Sequence, residues 1–281
     1  MSGASFQGHE LAREVEVAQR LGGEAGVLVM KYHGGKLTVE RKEGNEPVTI
    51  ADREASDLIV AGLRTAFPDD VIISEENADD LRRLSARRVW YIDPIDGTKD
   101  FIRGEDGFCL MIGLCIGGRP TVGVIVQPLH RRVFSAAPGG GSWIEAPGEA
   151  PRQVRVSEIA ELAEARLVAS RSHRDQTIDQ VKSALGISNE LNIGSIGLKL
   201  GVIAVGERDL YVNPSPRCSA WDTAGPEALL HEAGGRLSDI RGRPLRYDVE
   251  EIAHKSGLVA SNGKVHDAAI GRLAPLFESL P

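Results

Sequence analysis

The sequence predicts an α/β protein whose N-terminal half is of the α+β kind and whose C-terminal half alternates strand and helix. Three observations carry this. Apolar residues recur at three- and four-residue steps in two segments near the start. Short strand-like runs between glycine and proline turns fill the middle, and past residue 150 strand and helix patterns alternate. At 281 residues with 42% hydrophobic content, the chain can bury one large core or two modest ones. The proline- and glycine-marked stretch 147–151 divides it into units 1–150 and 151–281.

Leu11, Val15, Ala18, Leu21, Ala25 and Leu28 line one face of an opening helix. Residues 31–47 are rich in glycine and charge without a sustained period, which reads as a mobile hairpin or loop. Thr49, with Asp52 three residues on, forms a variant of the capping box before a second helix carried by Ala55, Leu58, Ile59 and Leu63. Pro68, Asp69 and Asp70 turn the chain into a short strand of Val71, Ile72 and Ile73, which ends on Ser74, Glu75 and Glu76. The apolar run Val89, Trp90, Tyr91, Ile92 is a buried strand that stops at Asp93, followed by Pro94, Ile95, Asp96, Gly97 and Thr98. Strands at 108–116, 121–126 and 132–136, with a tight turn at 138–141, complete a largely antiparallel sheet. Beyond the boundary come a strand at 166–170, a helix from Asp175, a strand around Leu191 and a helix from Ser195. A strand at 209–212, a helix from Asp222, a strand at 258–261 and a last helix follow.

Net charge is −7 and the Lys and Arg residues are scattered, which argues against a nucleic-acid polymer or an anionic membrane as partner. A small phosphorylated molecule stays compatible, because divalent cations reverse the sign of an acidic pocket. Cys109, Cys115 and Cys218 are odd in number and lack CxxC spacing, so they read as reduced core residues. The first ten residues do not resemble a signal peptide and no apolar run reaches a membrane span, so a cytoplasmic location is expected.

Asp52, Glu75, Asp93, Asp96 and Asp222 each stand at a strand end or a helix start, positions that can converge in space. Asp93 and Asp96 are too close to share a charge comfortably unless a cation lies between them. Hard cations such as Mg²⁺ take oxygen ligands and complete their shell with water and substrate phosphate. Taken singly, each acid has an ordinary alternative: an N-cap for Asp222, a solvated turn for Glu75 and Glu76, a helix-dipole charge for Asp52.

Together, Pro47-Val48-Thr49-Ile50-Ala51-Asp52, Ser74-Glu75-Glu76, Trp90-Tyr91-Ile92-Asp93-Pro94-Ile95-Asp96-Gly97-Thr98, Trp221-Asp222-Thr223-Ala224-Gly225 and Glu232-Ala233-Gly234-Gly235 resemble the inositol monophosphatase superfamily, in its order and over almost the whole chain. The resemblance implies the layered α-β-α-β-α sandwich of the inositol monophosphatase/fructose-1,6-bisphosphatase type. Residues 1–150 would be the metal- and phosphate-binding domain and 151–281 the substrate domain. It implies Mg²⁺, two or three ions per site, held by Glu75, Asp93, the carbonyl of Ile95, Asp96 and Asp222. Asp96, Gly97 and Thr98 would hold the phosphate, and Asp222 would add a substrate contact. A metal-activated water would attack phosphorus, with Asp52, Thr98 and Glu75 as catalytic residues and Asp52 drawing on the Thr98 hydroxyl.

Lys99-Asp100-Phe101 after Gly-Thr resembles the 3'(2'),5'-bisphosphate nucleotidases of this superfamily, as do Ser170-Arg171-Ser172-His173 and Gly194-Ser195 with Leu198-Lys199. Lys99, Ser172, His173, Ser195 and Lys199 are therefore expected at the substrate. Alternatives stand beside them: a surface cation for Lys99, an exposed loop histidine for His173, an N-cap for Ser195. The Ser195–Lys199 spacing departs from the nucleotidase form and equals the inositol form. The resemblance thus implies hydrolysis of adenosine 3',5'-bisphosphate to AMP and phosphate, with lithium sensitivity and a link to sulfur assimilation. An inositol-1-phosphate or general sugar phosphatase is the alternative, and a non-catalytic metal-dependent binding protein a more distant one. Monomer and homodimer are both compatible.

Overall fold

Two helices form where the apolar periodicity places them, α1 over Ala12–Val29 and α2 over Ile50–Ala66. The computed structural model describes residues 6–35, 39–41, 47–79, 81–171 and 176–277. Within the 31–47 segment, β1 (Val39–Arg41) pairs antiparallel with β2 (Pro47–Thr49), a short hairpin leading into α2. Thr49 and Asp52 close the anticipated reciprocal cap: Thr49 Oγ1 accepts from the Ala51 N–H at 3.2 Å, and Asp52 Oδ2 accepts from the Thr49 N–H at 2.8 Å.

The middle of the chain is one sheet of seven strands: β3 (Val71–Ser74), β4 (Arg88–Asp96), β5 (Cys109–Ile116), β6 (Arg119–Gln127), β7 (Arg132–Ala137), β8 (Gly141–Glu145) and β9 (Arg152–Val154). They lie side by side in chain order, β3 and β4 parallel and the rest antiparallel. Two expectations are corrected here. The strand that was to stop at Asp93 continues to Asp96, with a register shift between the two acids where Pro94 cannot donate to the ladder. Stretch 147–151 is the turn of the β8–β9 hairpin, so the boundary at 150 falls inside the first sheet. Proline and glycine mark a turn whether or not the chain leaves the sheet afterwards.

The second sheet has order β11-β10-β12-β14-β13, from β10 (Leu167–Ser170), β11 (Glu190–Ile193), β12 (Leu210–Asn213), β13 (Arg236–Ser238) and β14 (Leu258–Ser261). Short α3 (Thr98–Arg103) follows β4, and α4 (Gln176–Leu185), α5 (Ile196–Ala204), α6 (Ala220–Glu232) and α7 (His266–Leu273) complete the α-helices among the described residues.

Strand alternation builds the layers. On β4, Trp90 and Ile92 face a core shared with α1 and α2, while Val89 and Tyr91 face a second core with α5, α6 and one side of the second sheet. The far side of that sheet packs on α4 and α7 through Leu167, Val212, Val181 and Leu273. The result is the expected α-β-α-β-α sandwich, with α5 and α6 as its middle layer. Two helices of the C-terminal half thus cover the N-terminal sheet, which explains why no boundary in the sequence separates the two cores.

The middle layer is tight where α6 crosses β5 and β6. A Cβ built at Gly113 would lie 2.4 Å from the Gly225 nitrogen, and one at Gly123 would lie 2.1 Å from the Gly225 carbonyl oxygen. Backbone meets backbone, so neither neighbour can yield as a flexible side chain would. Pro226 sits inside α6, not in its first turn, because the helix begins at Ala220 and not at Asp222. Its missing N–H removes the helical bond to the Asp222 carbonyl. Gly123→Ala is expected to overpack this contact and cost about 1–3 kcal/mol, read as a lower urea midpoint with an unchanged slope. A midpoint equal to wild type would refute the contact.

Candidate active site

Strand β4, its bulge and the start of α6 deliver three acids to one point. One carboxylate oxygen from each of Asp93, Asp96 and Asp222 lies within 4.8 Å of the others. Asp93 is 2% exposed and sits at the register shift, where its Oδ1 accepts from the Ile95 N–H at 3.0 Å. Asp222 is not the N-cap. Ser219 precedes α6, and Asp222 Oδ2 accepts from its N–H at 2.6 Å. The carboxylate that the sequence left open between cap and ligand therefore caps with one oxygen and remains in the cluster.

Desolvation drives the carboxyls of Asp93 and Asp222 well above the usual range, and neighbouring acids add to it: Glu75, Asp96 and Asp222 at Asp93, Asp96 and Glu75 at Asp222. Glu75 stands outside the tight triad, at the end of β3 where its N–H donates to the Ile92 carbonyl at 3.1 Å, yet it is close enough to act on both. Asp96 is also raised by desolvation, but there the Lys199 ammonium, the Gly197 N–H and the Ser195 hydroxyl oppose the shift.

Ser195 and Lys199, both expected at the substrate, lie buried against Asp96. Ser195 has no exposed surface: its hydroxyl donates to Asp96 Oδ2 at 2.8 Å and accepts from the Leu198 N–H at 3.0 Å, capping α5. The Gly197 N–H reaches the same Asp96 oxygen at 2.8 Å. Lys199 is 1% exposed, donates to the Gly194 carbonyl at 2.7 Å and lies 5.2 Å from the Tyr211 ring centroid. Burial lowers its pKa to about 8. Ser195 answers Asp96 with a hydrogen bond and Lys199 with its charge, as a buried carboxylate requires. Ser195 is the N-cap of α5 and Lys199 stands four positions further on, one helical turn into it.

Asp52 and Thr98 do come together. Thr98 Oγ1 lies 3.5 Å from Asp52 Oδ1 and 3.0 Å from the Ile95 carbonyl oxygen, so its one proton has two acceptors within reach. Asp52 Oδ2 is held by the Thr49 hydroxyl at 2.6 Å, which leaves Oδ1 turned towards Thr98. Gly97 makes the turn between β4 and α3 with φ of 94°, and a Cβ there would meet the Gly107 carbonyl oxygen at 2.6 Å. Lys99 follows in the first turn of α3, half-buried. Ser172 and His173 lie outside the described residues. Sequence reasoning passed over Arg83, whose guanidinium bonds Asp79 at 2.6 Å and the carbonyls of Val249 and Glu250 at 2.5 and 2.6 Å, bracing the segment behind Glu75.

An all-oxygen donor set on clustered, desolvated acids suits a hard divalent cation. Asp93, Asp96 and Asp222, with Glu75 and the Ile95 carbonyl alongside, fit Mg²⁺. The pH dependence follows from the sign of the shifts. Carboxyls raised above their unfolded values oppose folding as pH climbs from the ordinary carboxylate range towards the folded values. A cation offsets this, so the rise in Tm that Mg²⁺ produces over chelator should be larger near about pH 7.5 than near about pH 5. An equal or smaller rise at the higher pH would refute the coupling. Asp93→Asn should remove most of the Mg²⁺ increment while leaving the chelator-treated protein at least as stable as wild type, since repulsion is relieved.

The model of the inositol monophosphatase family matches residues 10–278. The 3'(2'),5'-bisphosphate nucleotidase CysQ of Escherichia coli O157:H7 is 36% identical over 235 residues, 83% of this chain and 93% of that protein. The inositol-1-monophosphatase of Bacillus subtilis is 30% identical over 255 residues, 89% of this chain and 92% of that one. Among solved structures, the Thermotoga maritima IMPase superposes with a TM-score of 0.82 at 27% identity, covering 96% of this chain and all of that one.

Proposed function

This chain belongs to the inositol monophosphatase family, and on that premise we propose that it is a Mg²⁺-dependent phosphomonoesterase that hydrolyses adenosine 3',5'-bisphosphate to AMP and phosphate. The observation that carries the phosphatase reading is the triad of Asp93, Asp96 and Asp222 within 4.8 Å, on elements drawn from both halves of the fold. When bound, the cations supply positive charge opposite the phosphate oxygens and make water more acidic.

The remaining work falls to the protein's own groups. Glu75, Asp93, the Ile95 carbonyl, Asp96 and Asp222 hold the ions. At the start of α3 the Asp100 and Phe101 N–H groups donate to the Gly97 carbonyl at 2.9 and 3.1 Å, so the backbone N–H groups of Gly97 and Thr98 ahead of them are the ones that meet phosphate oxygens. Thr98 Oγ1 accepts a proton from the attacking water as its own proton passes towards Asp52 Oδ1, which Thr49 keeps oriented. Glu75 adds negative charge at the same edge of the cradle.

The nucleotide preference draws support from the nucleotidase relatives, at 35–36% identity, and from Lys99, whose place directly after Thr98 suits a second phosphate on the same substrate. With it go inhibition by Li⁺ and a role in sulfur assimilation. The inositol-1-phosphate reading is favoured by the Bacillus subtilis relative and by the Ser195–Lys199 spacing. Among the described residues no helix is long and apolar enough to cross a membrane.

Phosphate release from adenosine 3',5'-bisphosphate, inositol 1-phosphate and fructose 1,6-bisphosphate decides between them. The expected result is the highest kcat/KM on the nucleotide, and a preference of about tenfold, or about 1.4 kcal/mol, for inositol 1-phosphate would overturn the substrate assignment. Thr98→Val is expected to lower kcat on whichever ester is preferred by about 10²–10⁴-fold with Mg²⁺ binding retained. Wild-type turnover in that variant would remove Thr98 from the proton path.

A further inference from the structure

Beside the carboxylate cradle, a second charged cluster joins α3 to the edge of the C-terminal sheet. Asp100, on α3 two residues past Thr98, has no exposed surface. Its Oδ2 accepts from Arg171 Nη1 at 3.2 Å. Arg171 directly follows β10, and its own N–H donates to the Ile193 carbonyl at 3.1 Å, so the base of the side chain is anchored to the sheet. The guanidinium also reaches Glu105 Oε2 at 2.9 Å and lies 3.6 Å from Asp106. Arg171 stands in the Ser170–His173 run that resembles the nucleotidases, and its guanidinium is turned onto three acids.

Backbone from both halves closes around the Asp100 carboxylate. A Cβ built at Gly107 would lie 1.9 Å from Asp100 Oδ2, and one at Gly194 2.2 Å from the same atom. The Ser195 N–H donates to the Gly107 carbonyl at 2.9 Å. The turn that touches Asp100 through Gly194 is thus the turn that holds Asp96 through Ser195 and Gly197. A buried carboxylate requires a partner with fixed geometry, and a planar guanidinium meets that need where an ammonium on a flexible stem does so less well.

We propose that Arg171 is a positioning residue for leaving-group discrimination: paired with Asp100, it holds the Thr98–Lys99 end of α3 in register with the β10–β11 edge, which borders the space beside the phosphate. An ester whose alcohol is large enough to lie against that edge depends on the register. One with a small alcohol depends only on the cradle. The inference rests on the phosphomonoesterase reading of the cradle, but not on which ester is preferred.

The test uses the full chain with Mg²⁺ and compares Arg171→Gln and Arg171→Lys with wild type. The substrates are glycerol 2-phosphate and whichever of the three larger esters wild type hydrolyses best. Arg171→Gln should lower kcat/KM on the large ester by about tenfold or more while glycerol 2-phosphate stays within about twofold. The Mg²⁺ concentration giving half-maximal activity should not change. Arg171→Lys, which keeps the charge without the planar fork, should recover part of the loss, and it carries the same comparison should Arg171→Gln not fold. Equal loss on both esters, or no loss on either, overturns the proposal while leaving the phosphatase reading intact. A wild-type protein that releases phosphate from none of the esters overturns that reading and this inference with it.

Discussion

Mutual repulsion among carboxylates is the constraint around which this molecule is arranged. Three acids converge within 4.8 Å, with Glu75 acting on two of them from nearby, and desolvation makes every charge dearer than it would be in water. No single element could hold them there. Asp93 and Asp96 are brought together by the bulge of β4, while Asp222 arrives on α6 from the other half of the chain. The glycine contact of α6 with β5 and β6 brings that helix close enough for the convergence. The apolar cores on either side of the first sheet thus keep an electrostatically unfavourable arrangement in place.

The acids are not supported alike. Asp96 has a hydroxyl and a backbone N–H on one oxygen and a buried ammonium near it, so part of its charge is already answered by protein. Asp93 and Asp222 each accept one backbone N–H and face the other acids. This division gives the buried Lys199 and the α5 cap Ser195 a common partner in Asp96. Asp52 shows the same economy, one oxygen fixing the start of α2 through Thr49 and the other facing Thr98. One side chain both caps a helix and accepts from the Thr98 hydroxyl.

Much of this was legible in the chain. The opening helices, the Thr49–Asp52 box, the antiparallel middle and the later alternation follow from periodicity and turn chemistry, which act over a few residues. Strands β9 and β13 escaped notice because each has three residues, too few for a period to register, and β8 because it begins within the 138–141 turn. The continuation of β4 through Pro94 was hidden by the usual rule that proline ends a strand, a rule that bulges evade. Acid positions were readable because strand ends and helix starts collect in space. Burial of Ser195 and Lys199 was not, since hydroxyl and ammonium groups look alike in sequence whether they meet a ligand or a neighbouring carboxylate.

The sequence by itself determined the layered fold, the family and the acids that form the cradle, because these depend on local patterns and on motifs in a fixed order. Tertiary structure alone decided which polar residues face the cradle and which brace it, where the two halves share helices, and that Arg171 is turned onto Asp100. Those outcomes depend on which side of an element a distant segment packs against, and a carboxylate accepts a donor from either half of the chain with equal ease.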